Sequence, residues 1–330
     1  MRNKEKCFNQ NMLFEHIKQI LPQHVNFTDE ICDLLKIGVD SAYRRIRCDK
    51  LLSFEEALII CKHFGISVDF LFLGNKKDEM QCKFAPYDIQ DQKEYLNYMK
   101  ELSSTLESIM KTGGKIMMSS ADIPAFHYLA YKELALFQVF SWHKNVCNVL
   151  ENFDDFLNQF YDNETMVYYE KIVRSYKQIP SSEIWTSNTI ETTLRLLCYH
   201  FEMKHFKENK TPYFICEQLL DMLTVLHNRM DQCANDLNNN IFKFYISDID
   251  IGNTLILFKQ DKQSSCLVRL FTVNGLSITD DNFCNVVENW LNNLIKRATL
   301  ISEASEKERF KFFDSQKKKI ESVMGTFKYH

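Results

Sequence analysis

The chain has 330 residues, 45% of them hydrophobic, with 26 phenylalanines and 14 tyrosines. That length and apolar content exclude a disordered protein and predict a large core divided between two domains. The formal net charge of −4 argues against a general nucleic-acid coat protein, whose affinity rests on many basic contacts, yet is compatible with a small reader on an acidic regulatory body.

The first predicted element is an amphipathic helix whose apolar face is Leu13, Ile17, Ile20 and Leu21. The next stretch, TDEICDLLKIGVDSAYRRIRCD from Thr28 to Asp49, has the pattern of two short helices joined by a tight turn. Thr28 is placed to cap the first, Asp29 and Glu30 complement its positive end, and Ile31, Leu34 and Leu35 form its apolar stripe. Gly38 opens the second, in which Ala42 and Ile46 lie four apart and face inward. That phase places Asp40, Arg44 and Arg47 toward solvent, flanked by Ser41 and Tyr43, with Arg45 and Lys50 at the side. Downstream, Ser53 and Glu56 make an S-x-x-E capping box. Phe54, Leu58 and Cys61 are read as one face of the helix it starts, and Gly65 as its end.

The run SAYRRIRCDKLLSFEEALIICKHFGIS resembles the N-terminal domain of bacterial helix-turn-helix transcriptional regulators of the lambda-repressor-like class, especially the BetR-type group. The resemblance covers roughly residues 8–73. It implies a bundle of four or five helices that binds double-stranded DNA, with residues 39–47 entering the major groove. Arg44 and Arg47 are then the expected base-edge or phosphate readers. Ser41 and Tyr43 would reach phosphate or base, and Asp40 would accept from a cytosine amine or orient Arg44. Arg45 and Lys50 are expected on phosphate. One departure is Lys36, which stands where the family usually has glycine; a lysine held at positive φ would strain that turn or reshape it.

After Leu73, GNKKDEMQCKFAPYD reads as a linker. Tyr95, Met99, Leu102, Leu106 and Ile109 are spaced alternately four and three along a helix over about 91–111. That spacing suits either a short coiled-coil seam that pairs two copies or packing on the helix's own domain. Beyond Gly113 and Gly114 the sequence predicts a short strand at 116–118 and helices over 131–147, 164–176, 190–205 and 212–230. An antiparallel meander of three or four strands follows, from Phe242 through the Asn274-Gly275 pair, and then one long helix from about Asp280 into the 320s. The expected organisation is therefore α+β and mostly α: a helix-turn-helix domain over 1–75, a linker and connecting helix over 76–113, and a helical domain with a small antiparallel sheet over 114–330, for signal sensing or oligomerisation.

Catalytic signatures are missing. The sequence has no glycine-rich phosphate loop, G-x-S-x-G elbow or H-E-x-x-H helix, and His200 and His205 lie five apart, a poor spacing for two ligands on one helical face. The 11 cysteines include no C-x-x-C pair and read as reduced residues filling small buried sites. Neither a cofactor nor a metal is expected. The aromatic groups Phe126, His127 and Tyr128, and Phe137, Phe140 and Trp142, suit either an effector pocket or ordinary core. No apolar run reaches the ~18 residues of a membrane span, and MRNKEKCFNQ lacks a secretory apolar stretch, so a cytoplasmic location without membrane contact is expected. Two functions fit: a sequence-specific, dimeric transcriptional regulator controlled by a small-molecule or protein effector, or a helical protein-interaction module that never touches DNA.

Overall fold

The computed structural model describes residues 8–21, 25–66, 68, 82–84, 92–147, 151–160, 162–235, 241–260, 263–271, 274–303 and 305–327. The chain is α+β and mostly helical, and it divides into two compact units, Met1–Met80 and Gln81–His330.

In the first unit the described residues form four helices: α1 (Phe8–Ile20), α2 (Phe27–Leu35), α3 (Val39–Ile46) and α4 (Phe54–Phe64). Their core is Leu13, Phe14, Ile17, Ile31, Ala42, Ile60 and Cys61. Two local expectations need correction. Asn26, not Thr28, caps α2: its side chain accepts the Thr28 amide at 2.9 Å, and Thr28 lies inside the first turn. Helix α4 turns Ile60 and Cys61 inward, leaving Phe54 65% and Leu58 38% exposed. Its burial follows positions 57, 60, 61 and 64, so an apolar residue at the capped first turn falls outside the contact face.

The second unit is built on an eight-stranded mixed sheet in the order β1-β7-β6-β5-β2-β3-β4-β8. Its strands are β1 (Lys83–Phe84), β2 (Lys115–Ser119), β3 (Ser181–Trp185), β4 (Phe242–Ile246), β5 (Leu255–Lys259), β6 (Ser264–Phe271), β7 (Asn274–Ile278) and β8 (Thr299–Leu300). The meander expected from Phe242 onward is antiparallel over β5, β6 and β7, but its first strand, β4, lies elsewhere in the sheet: β2, β3 and β4 run parallel, joined by helical crossovers. Those crossovers are α6 (Ala125–Tyr128), α7 (Lys132–Cys147), α8 (Phe153–Phe160) and α9 (Asn163–Gln178) between β2 and β3, then α10 (Glu191–Glu202) and α11 (Lys210–Asn235) between β3 and β4. The Asn274-Gly275 pair opens β7 and does not form the hairpin turn; Asn274 pairs with Phe271.

Alternation along the strands fills both faces. Met117, Ile184, Leu257 and Cys266 meet α12 (Asp281–Ile295) on one side, while Ile116, Met118, Phe242, Phe244 and Phe258 face the larger aromatic core on the other. The helix read as running from 280 into the 320s is two, α12 and α13 (Glu306–Phe327), with β8 between them. Buried Arg309 explains the break: its guanidinium donates to the carbonyls of Ile301 and Glu303, each at 2.8 Å, and to Asp231 at 2.8 Å, satisfying backbone groups that a continuous helix would have used.

Of the stretch read as a linker, residues 82–84 are described, and Lys83–Phe84 pair with β7. The helix over 92–111, here α5, packs within its own unit. Tyr95, Met99, Leu106 and Ile109 are buried in the main core, so the coiled-coil reading of that face gives way to the packing one. Phe126, Phe137, Phe140 and Trp142 are likewise core residues, not pocket walls.

A polar cluster sits inside that core. Glu183 on β3 is fully buried. It accepts hydrogen bonds from the Tyr176 hydroxyl at 2.5 Å and from Trp185 Nε1 at 2.9 Å, and both its oxygens lie 2.9 Å from His127 Nε2. Burial alone would raise the Glu183 pKa; His127 and the Tyr176 bond outweigh that and hold it below the usual carboxylate value.

Candidate nucleic-acid interface

Helix α3 is eight residues long and starts from Gly38, which supplies no capping side chain. It follows α2 through a turn in which Lys36 takes up the left-handed conformation, φ 53° and ψ 46°, and donates its amide to the Cys32 carbonyl. The expected strain at this lysine is therefore present, at a position where glycine would carry none.

Helical geometry then sorts the side chains of α3. Ala42, Arg45 and Ile46, at i, i+3 and i+4, face inward. Asp40, Tyr43, Arg44 and Arg47, at i, i+3, i+4 and i+7, form one exposed stripe, and Lys50 is exposed beyond the helix end. Ser41 is half-buried. Arg47 lies over the Tyr43 ring, 5.4 Å from its centroid, which aligns the two side chains along the stripe. Arg44 makes no ion pair among the described residues.

Arg45 is the residue the sequence reading misplaced. It was expected on phosphate, but its side chain is 5% exposed and gripped from three directions. Arg45 Nε and Nη2 donate to the two Glu56 oxygens at 3.1 and 2.6 Å, and Nη1 donates to the Ser41 carbonyl at 3.1 Å. Glu56 is also the acidic member of the α4 capping box, accepting the Ser53 amide at 3.0 Å while the Ser53 hydroxyl accepts the Glu56 amide. The bond from Arg45 holds the Glu56 carboxyl below its ordinary pKa, against a smaller opposing effect of burial. Arg45 thus fastens α3 to the start of α4 and is unavailable to a ligand.

A second clamp comes from a residue the sequence did not mark. Gln10 on α1 is buried; its amide nitrogen donates to the carbonyls of Arg45 at 2.7 Å and Lys50 at 3.1 Å, and its oxygen accepts the Leu52 amide at 2.9 Å. These bonds add a second donor to the Arg45 carbonyl, which already accepts the Cys48 amide, and fix the path of the chain that leaves α3. Its only sequence signal is a polar residue beside an apolar face. Cys48 follows α3 at φ 60° and is disulfide-bonded, against the expectation of a wholly reduced set; eight other described cysteines are free.

No known protein family, curated protein or solved structure matches this chain. The reading of the interface therefore rests on its own geometry and chemistry. No group of three or more His, Cys, Asp or Glu among the described residues is arranged to hold a metal ion, and none of the described helices is long and apolar enough to cross a membrane.

Proposed function

We propose that the first unit reads double-stranded DNA through α3 and that the chain is a cytoplasmic transcriptional regulator. The observation that carries this reading is the exposed stripe of Asp40, Tyr43, Arg44 and Arg47 on a short helix secured from behind by Arg45–Glu56 and Gln10. A helix of this size fits the major groove, and a guanidinium can donate two parallel bonds to a guanine edge. Arg44 and Arg47 are the base readers in this assignment, Asp40 accepts from a cytosine amine, and Ser41, Tyr43 and Lys50 hold the backbone. The second unit senses an effector and supplies the surface through which two copies pair. Because the α5 face is occupied by its own core, that pairing uses another surface.

Selection of bound sequences from a random duplex library by the full chain tests the proposal, with an enriched paired half-site as the expected result. Arg44→Ala and Arg47→Ala should each weaken binding to the selected site by about 1–3 kcal/mol without changing the unfolding transition. Unaltered affinity in both variants refutes the assignment.

One observation favours a different function. Leu51, Phe54, Leu58 and Ile59 are exposed together at the start of α4, more apolar surface than a phosphate backbone calls for. In that reading the unit docks a protein partner, and the selection yields no enriched sequence at any salt concentration.

A further inference from the structure

The second unit carries an open cavity of about 490 Å³ between α10 and α13, within the size range of small-molecule sites. Leu194 and Val323 form its apolar floor, and Tyr199 lines it with nearly half its surface exposed. Four charged groups surround this floor, of which two already face each other: Lys319 Nζ bonds Glu191 and the Ser187 carbonyl. The other two, Arg195 and Glu202, are exposed and make no ion pair with any described residue.

Those two lie seven residues apart on α10, hence on one face and about 10 Å apart along the axis. Cys198 sits between them, its thiol pKa raised by burial and by the nearby Glu202 carboxylate, so it presents a neutral surface. The helices run in the same direction along the cleft: Lys319 meets Glu191 at one end, and the Phe327 ring lies 4.8 Å from Phe201 at the other. Both helices therefore end beside Glu202, where their carbonyl ends add to its negative field.

We infer that this cleft binds a linear zwitterion of tripeptide size with an apolar middle, its carboxylate on Arg195 and its ammonium at Glu202. An extended tripeptide spans about 10 Å, comparable to the axial rise between positions 195 and 202. The polarity of the cleft fixes the orientation, and Leu194, Tyr199 and Val323 receive the central side chain. The inference deepens the effector role proposed above for the second unit, but its test needs no DNA.

The full chain is titrated calorimetrically with the tripeptide Ala-Leu-Ala and, separately, with the same peptide acetylated at its N-terminus and amidated at its C-terminus. The free peptide should bind saturably and the blocked one should not. Arg195→Ala and Glu202→Ala, both at exposed positions, should each weaken the free peptide by about tenfold or more while leaving the melting temperature unchanged. Absence of saturable heat at millimolar peptide overturns the inference. So does equal binding of the blocked peptide, which would assign the cleft to an internal segment of a partner protein, or full affinity in both variants. Peptide binding with no change in affinity for the selected DNA leaves the site standing and removes only its regulatory role.

Discussion

Replacing Arg45 with alanine separates the inner face of α3 from its outer face. The substitution removes two charge-assisted bonds to Glu56 and one to Ser41, and leaves the Glu56 carboxylate without its cation. Breaking a buried ion pair costs about 3–5 kcal/mol. The Glu56 side chain keeps 23% of its surface in water, which resolvates part of the orphaned charge, so the loss here should be about 2–3 kcal/mol. A unit of this size has roughly 4–12 kcal/mol of stability in all, so the loss is large enough to register. Hydrogen exchange of the full chain, followed over the amides of 27–64, is the assay: protection should fall by about 2–3 kcal/mol in Arg45→Ala and stay within about 0.5 kcal/mol of the parent in Arg44→Ala and Arg47→Ala. The pH dependence supplies an internal check. Because the folded-state pKa of Glu56 is depressed, its contribution is present above the unfolded carboxylate pKa and is lost as pH falls through the folded value. That acid-side slope should be absent from Arg45→Ala. If Arg45→Ala were as protected as the parent but deficient in DNA binding, the residue would be a contact and not a strut, and the argument would be wrong.

Three more outcomes follow from the same contacts. Lys36→Gly should stabilise the first unit by about 0.5–1 kcal/mol, since it removes a left-handed lysine; an unchanged urea midpoint would show that the turn carries no strain. Glu183→Leu strands the Tyr176 hydroxyl, the Trp185 ring N–H and His127 in an apolar interior, and should lower stability by at least about 3 kcal/mol; a loss under about 1 kcal/mol in chemical denaturation would contradict the network. His200 is fully buried, 2.8 Å from His205 through the Nδ1 atoms, and its pKa is pushed down to about 4, chiefly by burial and then by His205. The unfolded chain therefore binds the extra proton first as pH falls below about 6.5. Stability should drop between there and pH 4 by up to about 3 kcal/mol, and His200→Phe should flatten that slope, an identical slope in the variant being the contrary result.

Helices with regular apolar spacing were legible in the sequence because one stripe of side chains meets one core; α5, α9 and α11 are of this kind. Strand β3 was not. Its sequence, SSEIW, places a glutamate at an inward position, and nothing local announces that His127, 56 residues upstream, and Tyr176, on the preceding helix, will satisfy it. Arg45 was closer to being readable: it lies three residues after Ala42, on the inward phase, and the capping-box glutamate that receives it was already visible in sequence. Helical phase, not the charge of the residue, decides its burial. The division between α12 and α13 has no glycine or proline to signal it, and depends instead on Arg309 reaching back to carbonyls that precede its own helix. The core roles of Phe126 and Phe137 could not be separated from pocket roles without knowing which elements would cover them.

Among the described residues, the sheet ends on each side in a strand of only two residues, β1 against β7 and β8 against β4. Such short borders offer few unpaired amides and carbonyls to a passing extended chain, so the architecture resists growth by strand addition into fibrils or open sheets.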